Sequence, residues 1–234
     1  MNLRKRINIP DNWYRHLQPV IESEYFTKLS QYLKTRRSES TVYPYSEETF
    51  EAFKLTPFDK VRVVIIGMDP FPTEYKEEPV ACGLAFAPRY AACMPPSLKQ
   101  IYHCLKERMY ANDLNFPDTD MNLYEWAEKG VFLLNAALTV EKNKAGSHLS
   151  YWKPFTEAVI KAISDNSSGV IFCFWGKDAQ QFAPLVNGNA HHKLLASHPV
   201  SASYKGKTWE CDHFEEINKI LLYTNGDTIQ WLNF

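Results

Sequence analysis

Residues Val61 to Phe86 read VRVVIIGMDPFPTEYKEEPVACGLAF, and this stretch decides the fold. Val61 to Ile66 is apolar and β-branched, the composition of a strand covered on both faces of a sheet. Gly67 closes the run, and Asp69 follows at once, held between the turn formers Gly67 and Pro70. A strand that stops at a rigid turn bearing an acid presents chemistry at the carboxyl edge of a parallel sheet. Taken alone, Asp69 is explained equally well as a turn cap.

The pattern recurs. Gly130 to Leu134 is a second apolar run, ending on Asn135, and Gly169 to Trp175 a third, ending on Gly176. Lys193 to Ala196 is a shorter fourth, followed by Ser197-His198-Pro199. The segments between are long enough for crossover helices, so the strands should be parallel and their carboxyl ends should share an edge. Asp69, Asn135 and His198 are then expected to converge on one crevice. The architecture expected is a single α/β domain over residues 1–234, three-layer α/β/α, around a short central parallel four-stranded sheet.

Trp13, Leu17, Val20, Ile21, Tyr25, Phe26, Leu29 and Leu33 recur at spacings of three and four. They predict one or two amphipathic helices in an N-terminal segment, 1–45, packed on the domain. Further helices are expected over Glu47–Phe53, Leu98–Arg108 with Ser97 as N-cap, Leu123–Lys129, Trp152–Ile163 and His213–Tyr223, and one starting at Lys177. Pro72–Pro79, Asn112–Asp120, Glu141–Ser147 and His198–Gly206 read as loops.

With 234 residues, 45% of them hydrophobic, the chain can bury a substantial core. No run approaches the roughly 20 apolar residues of a membrane span, and MNLRKRINIPDNWY lacks the apolar centre of a secretory signal. The five cysteines are scattered, with no C-x-x-C pair and no His/Cys cluster. That argues against structural zinc and iron–sulfur clusters, and for thiols in a reducing compartment. A net charge of −1 does not announce a nucleic-acid binder. Lys142, Lys144, Lys153, Lys177, Lys193, Lys205 and Lys207 nevertheless fall near the expected crevice edge.

Block by block, the chain resembles the uracil-specific uracil-DNA glycosylases. The likeness runs from Phe50-Glu51-Ala52-Phe53 and Thr56-Pro57-Phe58-Asp59 through Val63 to Pro70, Gly83-Leu84-Ala85-Phe86 and Pro95-Pro96-Ser97-Leu98. It continues over Gly130 to Asn135, Leu138-Thr139-Val140, Ser147-His148, Trp175-Gly176, Ala179-Gln180, His198-Pro199 and Cys211-Asp212-His213-Phe214 with Asn218. Their joint order and spacing carry the resemblance, since each of these residues alone has a duller account as core or turn former.

The resemblance implies hydrolysis of the N-glycosidic bond of uracil in DNA after base flipping, leaving an abasic site. It implies Asp69 and His198 as catalytic residues, with Met68, Phe71, Phe86 and Asn135 around the base. Pro95, Pro96, Ser97, Gly176, Lys177, Ser201, Ala202 and Ser203 would contact DNA. The implied partners are uracil-containing DNA, single- or double-stranded, and a proteinaceous glycosylase inhibitor. No cofactor, metal or membrane is implied, and the protein would be a cytoplasmic monomer (nuclear if its source is eukaryotic or viral).

The sequence departs from the family at several points. Met68 stands for the family's glutamine and Phe71 for its tyrosine, the ring that walls off the C5 position of the base. The loop from Pro72 to Ala81 is longer. Ala202 stands for the leucine that wedges into the DNA stack, in a loop about one residue shorter, and Lys177 replaces a serine. These changes point to weaker duplex engagement, a preference for single strands, or a different target base. Two further readings therefore stand beside uracil excision: a glycosylase for a modified pyrimidine, and a DNA- or partner-binding module without turnover.

Overall fold

The computed structural model describes residues 7–90, 92–111 and 123–232. The expected Asn112–Asp120 connection lies outside the described residues. The N-terminal segment forms α1 (Asp11–Ile21) and α2 (Glu24–Glu39), broken where Ser23 caps α2 by accepting the Phe26 N–H at 3.2 Å. Trp13 anchors this layer. Its ring stacks on Phe132 at 4.6 Å and meets Phe53 and Phe58 edge-on at 4.9 Å, while its indole N–H donates to the Thr56 carbonyl at 2.8 Å.

After β1 (Val42–Tyr43), the helix expected over Glu47–Phe53 divides into a 3₁₀ turn, Ser46–Glu48, and α3 (Glu51–Leu55). The first apolar run is β2 (Val63–Gly67). The loop expected over Pro72–Pro79 holds a small hairpin, β3 (Glu74–Tyr75) and β4 (Glu78–Pro79). Its two turn residues, Lys76 and Glu77, have φ of 52° and 66°, a mirror-image turn built without the usual Gly or Asn. In α4 (Pro96–Met109) the N-cap is Pro95, and Ser97, expected as the cap, lies inside the first turn.

Then come α5 (Leu123–Glu128), β5 (Val131–Asn135), β6 (Val140–Glu141), α6 (Leu149–Asn166), β7 (Ile171–Trp175) and α7 (Lys177–Gln180). The chain closes with β8 (His192–Ala196), α8 (Pro199–Ser203) and α9 (His213–Asn225). α8 corrects the loop expected over His198–Gly206, since Pro199 fills the first helical position and starts a helix there.

The main sheet runs β5-β2-β7-β8, with every neighbour parallel. β2, β5 and β7 are buried at every position, as their apolar runs require, whereas β8 is an exposed edge. The chain moves outward from β2 to β5 and then back across β2 to β7. Right-handed crossovers therefore put α4 and α5 on one face and α6 on the other. α1 and α2 pack with α6, while α8 and α9 pack with α4, completing the three layers. The direction of the chain reverses between β2 and β7, so the crevice of the fold opens at their carboxyl ends.

Candidate active site

β2 and β5 pair in register so that Gly67 lies opposite Asn135. The two strands leave the sheet still tied, with Ala136 N–H donating to the Gly67 carbonyl at 2.9 Å and Ala137 N–H to that of Met68 at 3.0 Å. Gly67 is needed here for space. A Cβ at this position would lie 2.6 Å from Asn135 Oδ1 and 3.3 Å from the Phe86 ring. Asn135 is only 4% exposed, and among the described residues nothing hydrogen-bonds its carboxamide. An amide on a buried residue with no protein partner for its donors and acceptor is set up for a ligand.

Phe86 reaches this point because Ala85 N–H donates to the Leu133 carbonyl at 3.0 Å, laying the Gly83–Phe86 segment along β5. Its φ is +64°, a left-handed conformation that costs a bulky residue about 1–3 kcal/mol and marks functional positions. The Phe86 ring lies 5.7 Å from the His198 ring and 5.3 Å from that of Trp175.

His198 is the N-cap of α8, and its Nδ1 accepts the Val200 N–H at 3.2 Å. The neutral ring therefore carries its proton on Nε2. Burial holds its pKa below the usual histidine value, against an opposing pull from the carboxylate of Asp178. Gly176 makes room for this ring: at φ +96° its missing Cβ would fall 2.8 Å from His198 Cβ.

Asp69 sits two residues beyond Gly67. Its Oδ2 accepts the Gly146 N–H at 2.6 Å. Burial pushes its pKa up to about 6, the Gly146 bond pulls it down, and the charge of Asp178 pushes it up again. Asp69 is thus ionised at neutral pH. Asn135, Gly67, Phe86 and His198 form one continuous chain of contacts, with Asp69 at the end of the turn that Gly67 begins. Asn135 and His198 thus lie on either side of the Phe86 ring, and the charge of Asp178 acts on both Asp69 and His198.

The remaining residues fall around this centre. Met68 and Phe71 are half-buried, and the Met68 methyl packs toward Gly146. Pro96 and Lys177 are exposed, Pro95, Ser97 and Gly176 are buried, and Ser201, Ala202 and Ser203 are half-buried. Ala202 turns toward the core, and Tyr204 just beyond it is 84% exposed. Of the lysines near the crevice, Lys142 and Lys144 are paired with Glu74 and Glu141 at 2.5 and 2.7 Å. Among the described residues no three His, Cys, Asp or Glu side chains gather to hold a metal ion.

Sequence reasoning missed Gly146, Asp178 and Gln100. The Gln100 amide donates to Ser203 Oγ at 3.0 Å and to the Lys207 carbonyl at 3.3 Å, and accepts the Trp209 N–H at 2.7 Å. It thereby fixes the His198 segment to α4. Nothing in the sequence around these three residues signals their roles, which come from backbone groups and from contacts across the fold.

Residues 53–222 match the family model described as the uracil DNA glycosylase superfamily. The chain belongs to this superfamily. It is 36% identical over 227 residues to the uracil-DNA glycosylase of Phocaeicola vulgatus, covering 96% of this chain and 99% of that one. With the uracil-DNA glycosylase of Campylobacter fetus the identity is 38% over 227 residues, covering 97% and 94%. Among solved structures, the mimivirus uracil-DNA glycosylase superposes with a TM-score of 0.87 at 28% identity, covering 99% of this chain and 89% of that one. A mimivirus variant was solved in complex with UGI, and it matches this superfamily member with a TM-score of 0.86 at 29% identity.

Proposed function

We propose that this protein removes uracil from DNA by hydrolysing its N-glycosidic bond, leaving an abasic site. The observation that carries the reading is an unpartnered Asn135 amide and a His198 imidazole with its proton on Nε2, both beside the Phe86 ring, with the Asp69 carboxylate two residues past Gly67 on the turn at the same strand end. A base within a duplex is out of reach of such a buried centre, so the nucleotide must be extruded, at a cost of a few kcal/mol.

In the pocket, Phe86 stacks on the extruded ring. The Asn135 carboxamide places a donor and an acceptor side by side, matching O4 and N3–H of uracil. Cytosine presents the reverse pattern and leaves buried groups unpaired, a mismatch that such sites reject by about 10⁴ or more. As the bond breaks, positive charge grows on the sugar and negative charge on uracil. Asp69 stabilises the first and orients the attacking water. His198 donates from Nε2 to uracil O2 as it gains charge, the logic of an oxyanion hole. Phe71 walls the C5 side, and Met68 lines the turn beneath. Pro95, Pro96, Ser97, Gly176, Lys177 and Ser201 to Ser203 lie on the strand-binding face.

The test is base release from uracil-containing oligonucleotides, single- and double-stranded, in EDTA. Release is expected from both, with Asp69→Asn and His198→Ala each reducing kcat by about 10²–10³ in a folded protein. A panel of C5-substituted pyrimidines in the same assay should be cleaved more slowly than uracil. A substituted base cleaved faster would replace uracil as the substrate. Binding to abasic DNA with no release of any base would make the protein a binding module.

A further inference from the structure

Asp69 is largely withdrawn from solvent, and the hydrogen bond that the structure gives its carboxylate comes from one backbone amide, Gly146. The position of that amide is set by the turn from Glu141 to Ser147. Within the turn, Glu141 N–H donates to Ser147 Oγ at 2.9 Å, Lys144 N–H to the Glu141 carbonyl at 3.0 Å, and Ser147 N–H to the Lys144 carbonyl at 3.1 Å.

The Glu141 side chain, 8% exposed, ties this turn to the N-terminal layer. Its Oε1 accepts from Arg36 Nε at 2.8 Å and Nη2 at 2.7 Å, and its Oε2 from Lys144 Nζ at 2.7 Å. Arg36 is a residue of α2, 105 positions away in the sequence, and is steadied in turn by Glu39 at 2.7 Å. On the other side of Glu141 stands His148, fully buried, with Nδ1 against Thr139 Oγ1 at 2.8 Å. Its Nε2 has no hydrogen-bond partner and lies 3.8 Å from Glu141 Oε1. Tyr32, also on α2, faces the His148 ring edge-on. A buried carboxylate held by two cations, with an unpartnered imidazole nitrogen beside it, is costly to build, and removing one charge from such a set is far more damaging than never having it.

We infer that Glu141, held by Arg36 and Lys144, is a positioning residue for the catalytic aspartate, holding the Gly146 amide where it orients and stabilises the ionised Asp69 carboxylate. The inference rests on the catalytic reading of Asp69 given above. Arg36 and Glu141 then act together across two layers of the fold, so that the N-terminal helices contribute to the chemistry as well as to packing. If the turn relaxes, Asp69 loses its N–H donor while burial and the charge of Asp178 still act on it, so its ionised form is reached only at higher pH.

The test is the pH profile of kcat on a single-stranded uracil oligonucleotide for the intact protein, Glu141→Gln, Arg36→Met and the exposed partner variant Lys144→Met. Each profile is normalised to the folded fraction measured by circular dichroism. Wild-type turnover and its loss in Asp69→Asn establish the catalytic reading independently. Glu141→Gln and Arg36→Met are expected to lose about tenfold in kcat at pH 7, with KM within about twofold, and to shift the acid limb upward by half a pH unit or more. Lys144→Met should shift it in the same direction by less. Lowered thermal stability with an unmoved acid limb and unchanged kcat would make the cluster merely structural and overturn the inference. Should Glu141→Gln not fold, an unmoved limb in Lys144→Met would have the same force.

Discussion

Burial raises the Asp69 carboxyl from the ordinary 3.8 to about 6, so the residue that the proposed chemistry needs charged is one whose surroundings favour the neutral form. The rise corresponds to as much as ~3 kcal/mol of stability forgone when the group is ionised. The native state binds this proton more tightly than the unfolded chain does. The cost is therefore absent below about 3.8, grows as pH rises, and is complete above about 6. Asp69→Asn keeps an acceptor for the Gly146 N–H but carries no charge. It should raise the melting temperature at pH 7.5 and converge with the parent near pH 4, while excision collapses. In the parent, kcat/KM reports the free protein, so its acid limb should fall near pH 6 as Asp69 takes up its proton. A limb near pH 4, or an Asp69→Asn variant less stable at pH 7.5, would contradict the geometry of this residue.

Among the elements, α4 and α8 pack together to form the proposed strand-facing surface, where Ala202 departs from the family. Ala202, expected at the family's wedge position, packs toward the core, while Gln100 pins Ser203 and Lys207 on either side of Tyr204. That leaves the Tyr204 ring projecting into solvent from the same segment as His198. Extruding a nucleotide opens a gap in the stack, and a planar ring fills such a gap by stacking. At about 1–3 kcal/mol per stacked base, Tyr204→Ala should reduce kcat/KM on duplex by about 10–100-fold and leave single-strand cleavage within about threefold. Tyr204→Phe should recover the duplex rate, and an equal loss on both substrates would assign the ring some other task. The same elements show what the sequence could reveal. β2, β5 and β7 were legible because strands buried on both faces must be continuously apolar, and their ends located Asp69 and Asn135. α8 was not, since Pro199 and the serines after it read as a loop although proline is at home in a first helical turn. The β3–β4 hairpin escaped because Lys76-Glu77 carries no turn-forming signature. Gln100 and Gly146 escaped because their parts are played across 103 and 77 residues by an amide side chain and a backbone N–H.

For the molecule as a whole, the formal charge of −1 and the proposed DNA substrate are reconciled by where the charges are used. Lys142 and Lys144 are committed to Glu74 and Glu141, one at the β3–β4 hairpin and the other in the turn whose Gly146 N–H bonds Asp69. Arg36, Arg89 and Arg108 are likewise spent on Glu141, Glu48 and Glu215, tying together segments distant in sequence. Lys177, Lys205 and Lys207 are exposed on the segments that flank Gly176 and Tyr204. Such a distribution engages few phosphates and lets the stacked base and the buried pocket supply the rest of the affinity. With about three phosphates neutralised, log K for an uncleavable duplex should fall with log salt at a slope of about −3, at −0.9 per contact. Lys177→Ala should make that slope shallower by about one and weaken binding alike for every sequence, without changing kcat on single strands. A slope of −6 or steeper would mean that a broader basic surface is engaged than these three lysines provide. An unchanged slope in Lys177→Ala would place the strand away from the β7 end of the sheet, and with it away from the crevice between β2 and β7.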